Sequence, residues 1–199
     1  MTKQTLLFLG DSITDCGHSA DNLGNGFVSI IAKGFANQYD IINSGVLGNT
    51  TADVIKRFDK DVAKYNPDIV VLLIGTNDIW DKFKKNKPTT DQQFFANYQT
   101  IVDKILSLGS TLIILHPFVI DSVESAEDFK QYLAEWKTEL NQKIAQINKF
   151  APFAKVVIPL HQIFEQLQSS IDGNLLAQDG IHPTKQGHEV IALNVSKHL

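Results

Sequence analysis

Cysteine is almost missing from this chain. Cys16 is the only one in 199 residues, so no intrachain disulfide can form and no multi-cysteine metal site exists. Arginine is equally scarce, with Arg57 standing alone. Because arginine is the preferred bidentate clamp for phosphate, its scarcity weighs against nucleotide binding and phosphoryl transfer. Net charge is −4, too mild to imply nucleic acid or an anionic membrane as partner. No apolar run approaches the roughly 20 residues of a membrane span, so no stable membrane association is expected. The apolar stretch Leu6–Leu9 is too short for a secretory leader and has no small-residue cleavage site after it. A cytoplasmic location is therefore the default expectation. His18, His161, His188 and His198 show no metal-ligand spacing and read as surface or helix residues. No metal and no cofactor is called for. Internal repeats and low-complexity linkers are also lacking.

What is present is ordinary globular material, 43% hydrophobic and 20% charged, in a length that suits one domain spanning residues 1–199. Strand-like apolar runs alternate with helix-like periodic stretches. Thr5–Leu9, Asp40–Asn43, Asp68–Ile74, Thr111–Leu115 and Lys155–Ile158 read as strands. Asp68–Ile74 is apolar on both faces, as a central parallel strand must be when helices cover both sides. Helical spacing appears over Phe27–Gln38, from Thr50 to about Tyr65, and over Phe94–Leu108. It recurs in one long stripe from Phe129 to Ile147, near Ile163–Ser169, and from about Thr184 onward. Thr50 with Asp53 three residues on is an N-cap signature. The alternation predicts a three-layer α/β/α sandwich around a five-stranded parallel sheet, with flavodoxin-like order among the few topologies allowed.

In such sheets the working residues lie in the loops after the strands. Gly10-Asp11-Ser12-Ile13-Thr14 follows the first strand and Asn43-Ser44-Gly45-Val46-Leu47-Gly48-Asn49-Thr50 the second. Gly75-Thr76-Asn77-Asp78 follows the third, and Asp179-Gly180-Ile181-His182-Pro183 precedes the last helix. A serine hydroxyl is a poor nucleophile unless a base takes its proton. The usual base is a histidine held in one tautomer by a carboxylate. Asp179 and His182, three residues apart, can form that pair through a tight turn, leaving Nε2 for Ser12. Attack on an ester generates an oxyanion, and Gly48 N–H, the Asn77 side-chain amide and Ser12 N–H are candidate donors for it. Each block alone has a plain structural reading as a turn or a helix cap. Their joint occurrence, three of them at strand ends, favours chemistry.

This set of blocks resembles the SGNH hydrolases, the GDSL esterase/lipase family. The resemblance rests on GDSIT around Ser12, NSGVLGNT around Gly48, GTND around Asn77 and DGIHP around Asp179 and His182. The blocks stand in the family's order and span positions 10 to 183. The resemblance implies a flavodoxin-like α/β/α fold and metal-free hydrolysis of esters or thioesters. It assigns Ser12 as nucleophile, Asp179–His182 as the base pair, and Ser12, Gly48 and Asn77 as the oxyanion hole. Ile-Thr after Ser12 and Thr76 in place of a frequent second glycine are small departures that change no catalytic atom. The chain also lacks the G-x-S-x-G elbow of the α/β-hydrolases.

Asp11 and Asp78 are expected to order their own loops. Trp80, His116 and Phe118 follow strand ends and are candidates to line a substrate pocket. Cys16, although close to Ser12, is not read as a nucleophile, and Lys82–Lys87 is read as a solvated loop. The expected substrate is a short-acyl ester, acetyl above all, of a carbohydrate or small molecule. A lysophospholipase or an acyl-thioesterase using the same site is the alternative. A non-enzymatic flavodoxin-like binding domain is a further one, although a carboxylate stands where a flavin's phosphate loop would need backbone donors. A metal-dependent hydrolase is the weakest reading. Oligomeric state is not legible.

Overall fold

The computed structural model describes residues 3–122 and 127–199. The five apolar runs form strands β1 (Gln4–Gly10), β2 (Tyr39–Gly45), β3 (Ile69–Leu73), β4 (Thr111–Leu115) and β5 (Val156–Ile158). All pair in parallel, in the order β2-β1-β3-β4-β5, which is the flavodoxin-like arrangement. Around them lie α1 (Ser12–Asp15), α2 (Phe27–Phe35), α3 (Thr51–Asp61), α4 (Thr76–Lys85), α5 (Asp91–Ser107), α6 (Glu127–Lys130), α7 (Leu133–Ile147), α8 (Leu160–Leu167) and α9 (Lys185–Ser196).

The period-2 alternation of the strands divides the core in two. Leu6, Phe8, Val71, Leu73, Ile113 and Leu115 face one side, where α2, α8 and α9 cover them. Leu7, Leu9, Val70, Leu72, Leu112 and Ile114 face the other, under α3 and α5. Burying each such side chain contributes roughly 1.5–3 kcal/mol, and every residue of β3 is buried. That is why a strand apolar on both faces occupies the centre. A third, smaller apolar cluster joins α4 to α7 through Ile79, Trp136 and Leu140, with Trp80 and Phe83 packed on it.

Several sequence expectations need correction. Residues 82–87 are a solvated loop only at their end: Thr76–Lys85 is helix α4, closed by Asn86 in the left-handed conformation, and exposed loop begins with Asn86 and Lys87. Its apolar stripe is only Ile79, Trp80 and Phe83, interleaved with charge, and it acquires a partner only when α7 packs against it. Its lysines are paired, Lys82 with Glu135 at 3.0 Å and Glu139 at 2.5 Å, and Lys85 with Asp81 at 2.8 Å. The stripe from Phe129 to Ile147 is two helices, α6 and α7, because the chain turns at Gln131-Tyr132. Helix α2 stops at Phe35 instead of Gln38. Helix α3 stops at Asp61, and a 3-10 turn over Ala63–Tyr65 replaces its expected end. His161 and His188 lie on helices but are buried, not at the surface. The His188 ring stacks on Phe27, and its Nδ1 accepts the Phe27 amide at 3.2 Å. No helix among the described residues is long and apolar enough to cross a membrane.

Candidate active site

Four chain segments meet at the carboxyl rim of the sheet. At the end of β1, the Asp11 side chain caps α1 by accepting the Ile13 amide at 3.0 Å, which sets Ser12 at the start of that helix. Helix α1 lies against the end of β2, where a Cβ on Gly45 would sit 2.1 Å from the Asp15 nitrogen. Only glycine permits that approach. Beyond β2 the chain turns at Gly48 with φ +74°, a left-handed conformation that disfavours other residues. No atom lies within 4 Å of a Cβ built there, so backbone conformation and an open approach, not crowding, account for the glycine. Thr50 and Asp53 then form the expected capping box on α3. The fourth segment, 179–182, is tied to the chain after β4 by the Ile120 amide donating to the Gly180 carbonyl at 2.8 Å.

Across this rim Ser12 Oγ lies 2.9 Å from His182 Nε2, and His182 Nδ1 lies 2.6 Å from Asp179 Oδ2. The second Asp179 oxygen accepts the amides of Ile181 at 2.9 Å and His182 at 2.7 Å. An ionised carboxylate only accepts, so Nδ1 carries the imidazole proton and Nε2 is left as the acceptor for the Ser12 hydroxyl. Burial pushes the Asp179 carboxyl up, but the hydrogen bonds from the His182 ring and from the two amides outweigh it, and its pKa lies below the usual value. The Asp179 hydrogen bond, opposed by partial burial, raises the His182 pKa above 6.5. The pair is about half exposed, so water screens part of this coupling.

Two further carboxylates lie deeper. Burial raises Asp11 to about 7, with the bond from Ile13 and the proximity of His182 opposing it. Burial also raises Asp78 to about 6, against hydrogen bonds from Thr51 and Thr89. Asp78 accepts the Thr51 amide at 2.9 Å and hydroxyl at 2.7 Å, which joins the start of α4 to the start of α3. The Asn77 side chain donates to the Asn49 carbonyl at 3.0 Å. The Gly48 amide has no acceptor among the described residues.

Ser12, Gly48, Asn77, Asp179 and His182 all line one cavity of about 280 Å³, whose walls are otherwise mainly apolar: Leu47, Trp80, Phe129 and Ile181. Larger hollows, about 370 Å³ beside β2 and about 560 Å³ beside α8, contain none of these five residues. Size alone does not mark the site. Of the pocket candidates, Trp80 lines the cavity, with its ring 6.1 Å from that of Phe129. His116 and Phe118 do not, and that expectation is corrected. His116 is 3% exposed with Nε2 against Asn148 at 2.9 Å, and the Phe118 ring packs 4.5 Å from Phe164 in the core. Chain position after β4 put them near the rim, but their side chains turn into the core. Leu47, Phe129, Ile181, Lys84 and Lys85 also line the cavity; no local sequence pattern marks them, and only tertiary packing brings them there. Cys16 Sγ lies 3.4 Å from His188 Nε2. Because Nδ1 of that ring accepts the Phe27 amide, Nε2 carries the proton and donates to sulfur, so His188 is no base for the thiol. Burial pushes the thiol pKa up. No group of three or more potential metal ligands occurs among the described residues.

A family model described as the GDSL-like lipase/acylhydrolase family matches residues 8–190. An acetylxylan esterase of Geobacillus stearothermophilus is 27% identical over 205 residues, covering 95% of this chain and 90% of the relative. The crystal structure of Axe2, an acetylxylan esterase from that organism, superposes with a TM-score of 0.78 at 26% identity, covering 98% of this chain and 93% of the other. LAE5, an alpha/beta hydrolase enzyme from the metagenome of Lake Arreo, Spain, superposes with a TM-score of 0.84 at 23% identity, covering 98% and 94%, and shows the common fold.

Proposed function

This chain belongs to the GDSL-like lipase/acylhydrolase family and is a carboxylic ester hydrolase, and from that premise we propose that it works through a Ser12–His182–Asp179 triad and an acyl-enzyme. The observation that carries this reading is the unbroken line from Ser12 Oγ to His182 Nε2 (2.9 Å) and from His182 Nδ1 to Asp179 Oδ2 (2.6 Å). As Ser12 Oγ attacks the acyl carbon, His182 Nε2 takes its proton. Asp179 holds the ring and stabilises the imidazolium that forms. The carbonyl oxygen becomes an oxyanion, received by the amides of Ser12 and Gly48 and by the Asn77 side chain. The tetrahedral intermediate collapses as His182 gives its proton to the departing alkoxide. Water then attacks the acyl-enzyme with His182 again as base, and Ser12 is released with the carboxylic acid.

We assign short-acyl esters, acetyl esters of carbohydrates or of small molecules, as the preferred substrates. The acetylxylan esterase relative supports this, and no cofactor enters any step. A second reading, an ester or thioester with a longer acyl group such as a lysophospholipid, is favoured by the apolar walls that Leu47, Trp80, Phe129 and Ile181 give the cavity. Two measurements test the proposal. Ser12→Ala is expected to fold normally and to lose hydrolysis of p-nitrophenyl acetate, and unchanged turnover would refute the triad. A p-nitrophenyl ester series from acetate to palmitate is expected to peak in kcat/KM at the short end, and a maximum at long chains would transfer the assignment to the second reading.

A further inference from the structure

We infer that Arg57, the chain's single arginine, is a positioning residue that sets the three oxyanion donors relative to one another, an inference that rests on the triad reading above. The guanidinium sits on α3 with its side chain only 12% exposed, and it does not line the catalytic cavity. Its planar fork is committed to groups that carry the rim. Nε donates to Asn49 Oδ1 at 2.5 Å. One terminal nitrogen donates to Ser44 Oγ at 3.1 Å and to Asp61 at 3.4 Å. The other donates to the carbonyls of Gly10 and Ser44, both at 3.0 Å.

Those acceptors are the ends of the segments that present the donors. Gly10 closes β1 two residues before Ser12, and Ser44 stands at the end of β2. Asn49 follows Gly48 directly, and its backbone carbonyl receives the Asn77 amide at 3.0 Å. One guanidinium therefore spans the nucleophile strand, the Gly48 loop and, through Asn49, the side chain of Asn77. The Asn49 carbonyl can only accept, so it fixes Asn77 with its NH2 group inward. One N–H is held by Asn49 and the second is left for the oxyanion. Preorganised donors stabilise the transition state because they need not reorient as charge develops. A lysine in the same place would offer a point charge with no planar fork and could not hold these acceptors together.

The test uses Asn49→Ala, which removes the acceptor for Nε while sparing Arg57 and the backbone bond to Asn77, beside Asn49→Asp, which keeps an oxygen there, and Arg57→Lys. In folded Asn49→Ala, kcat for p-nitrophenyl acetate should fall about 10- to 100-fold, short of the loss from deleting a donor outright, while KM stays within about twofold because the ground state lacks the oxyanion. Affinity for a trifluoromethyl ketone, whose Ser12 adduct carries that oxyanion, should weaken by the same factor. The pH midpoint of kcat/KM should stay put, since Asn49 does not touch His182. Asn49→Asp should recover most of the loss, and Arg57→Lys, if it folds, should lose at least as much as Asn49→Ala. A folded Asn49→Ala enzyme with kcat within twofold of wild type, or with its loss confined to KM, overturns the inference. So does a loss of kcat with inhibitor affinity unchanged. Wild-type protein that hydrolysed no ester would instead overturn the reading on which the inference rests.

Discussion

Replacing Asp179 by Asn tests the proposed base system with the least change of shape. One Asp179 oxygen accepts two backbone amides, at 2.9 and 2.7 Å, and the other faces His182 Nδ1 at 2.6 Å. Asparagine has one acceptor oxygen, and the two amides claim it. Its NH2 group then points at Nδ1, which must become an acceptor, so the ring proton moves to Nε2 and His182 can no longer take the Ser12 proton. Charge is lost as well. Opposite charges ~4 Å apart interact by about 1 kcal/mol in water and about 4 kcal/mol at an effective dielectric of 20. The half-exposed pair lies between these limits, which corresponds to roughly one to three decades in rate. With the tautomer error added, kcat should fall about 10²- to 10⁴-fold, the upper end being the loss seen for this substitution in the serine-protease template. The assay is kcat and kcat/KM for p-nitrophenyl acetate across pH 5–9. His182 must be neutral to act, so wild-type kcat/KM should rise with pH through a midpoint above 6.5, the side to which Asp179 moves the imidazole. The variant's residual activity should titrate at a lower midpoint. A variant within threefold of wild type at every pH, with the midpoint unmoved, would refute the reasoning.

Three further predictions follow from the same geometry. Asn77→Ala should lower kcat about 10²- to 10³-fold with little change in KM, and steady-state kinetics showing an effect on KM alone would remove Asn77 from the oxyanion hole. Gly48→Ala places a side chain at φ +74° with open space around it. Thermal melts should show the fold retained and the Tm lowered by roughly 2–8 °C, from about 1–2 kcal/mol of backbone strain. Buried His188 has its pKa lowered to about 4 by burial, so its neutral ring favours the folded state fully above the unfolded value of 6.5, and that contribution disappears as pH falls toward 4. This amounts to at most roughly 3–4 kcal/mol, about 2.5 pKa units at about 1.4 kcal/mol each. A Tm-versus-pH curve should therefore flatten over that window in His188→Gln, and an unchanged slope would exclude His188 as the titrating group.

The rim also explains why the chain carries carboxylates that do no chemistry directly. Asp78 locks the start of α4 to Thr51, and Asp11 caps α1 beneath Ser12. Both are buried, and both stay close to the line between protonated and ionised at neutral pH. Their value lies in fixing helix starts, which here are also the places where the candidate donors sit.

Local chemistry alone was enough for much of this. A strand apolar on both faces, Ile69–Leu73, has nowhere to be except the middle of a covered sheet, and its alternation with helical stripes dictated the α/β/α layering. Thr50 with Asp53 announced the start of α3, because a capping box is satisfied within four residues. Ser12, Gly48, Asn77, Asp179 and His182 could be proposed from the sequence because each sits in a short block of turn and cap residues whose types suit one reaction, and because the four blocks together resemble those of the GDSL family. Tertiary structure decided what depends on partners distant in the chain. Helix α4 was hidden because its three-residue apolar stripe is buried only once α7 arrives. Phe129 and Ile181 became cavity walls, and His116 and Phe118 core residues, through side-chain directions that strand position does not set. The role of Arg57 was invisible for the same reason: its acceptors on Gly10, Ser44 and Asn49 come together only when parallel strands align their ends, and no spacing along the chain encodes that meeting.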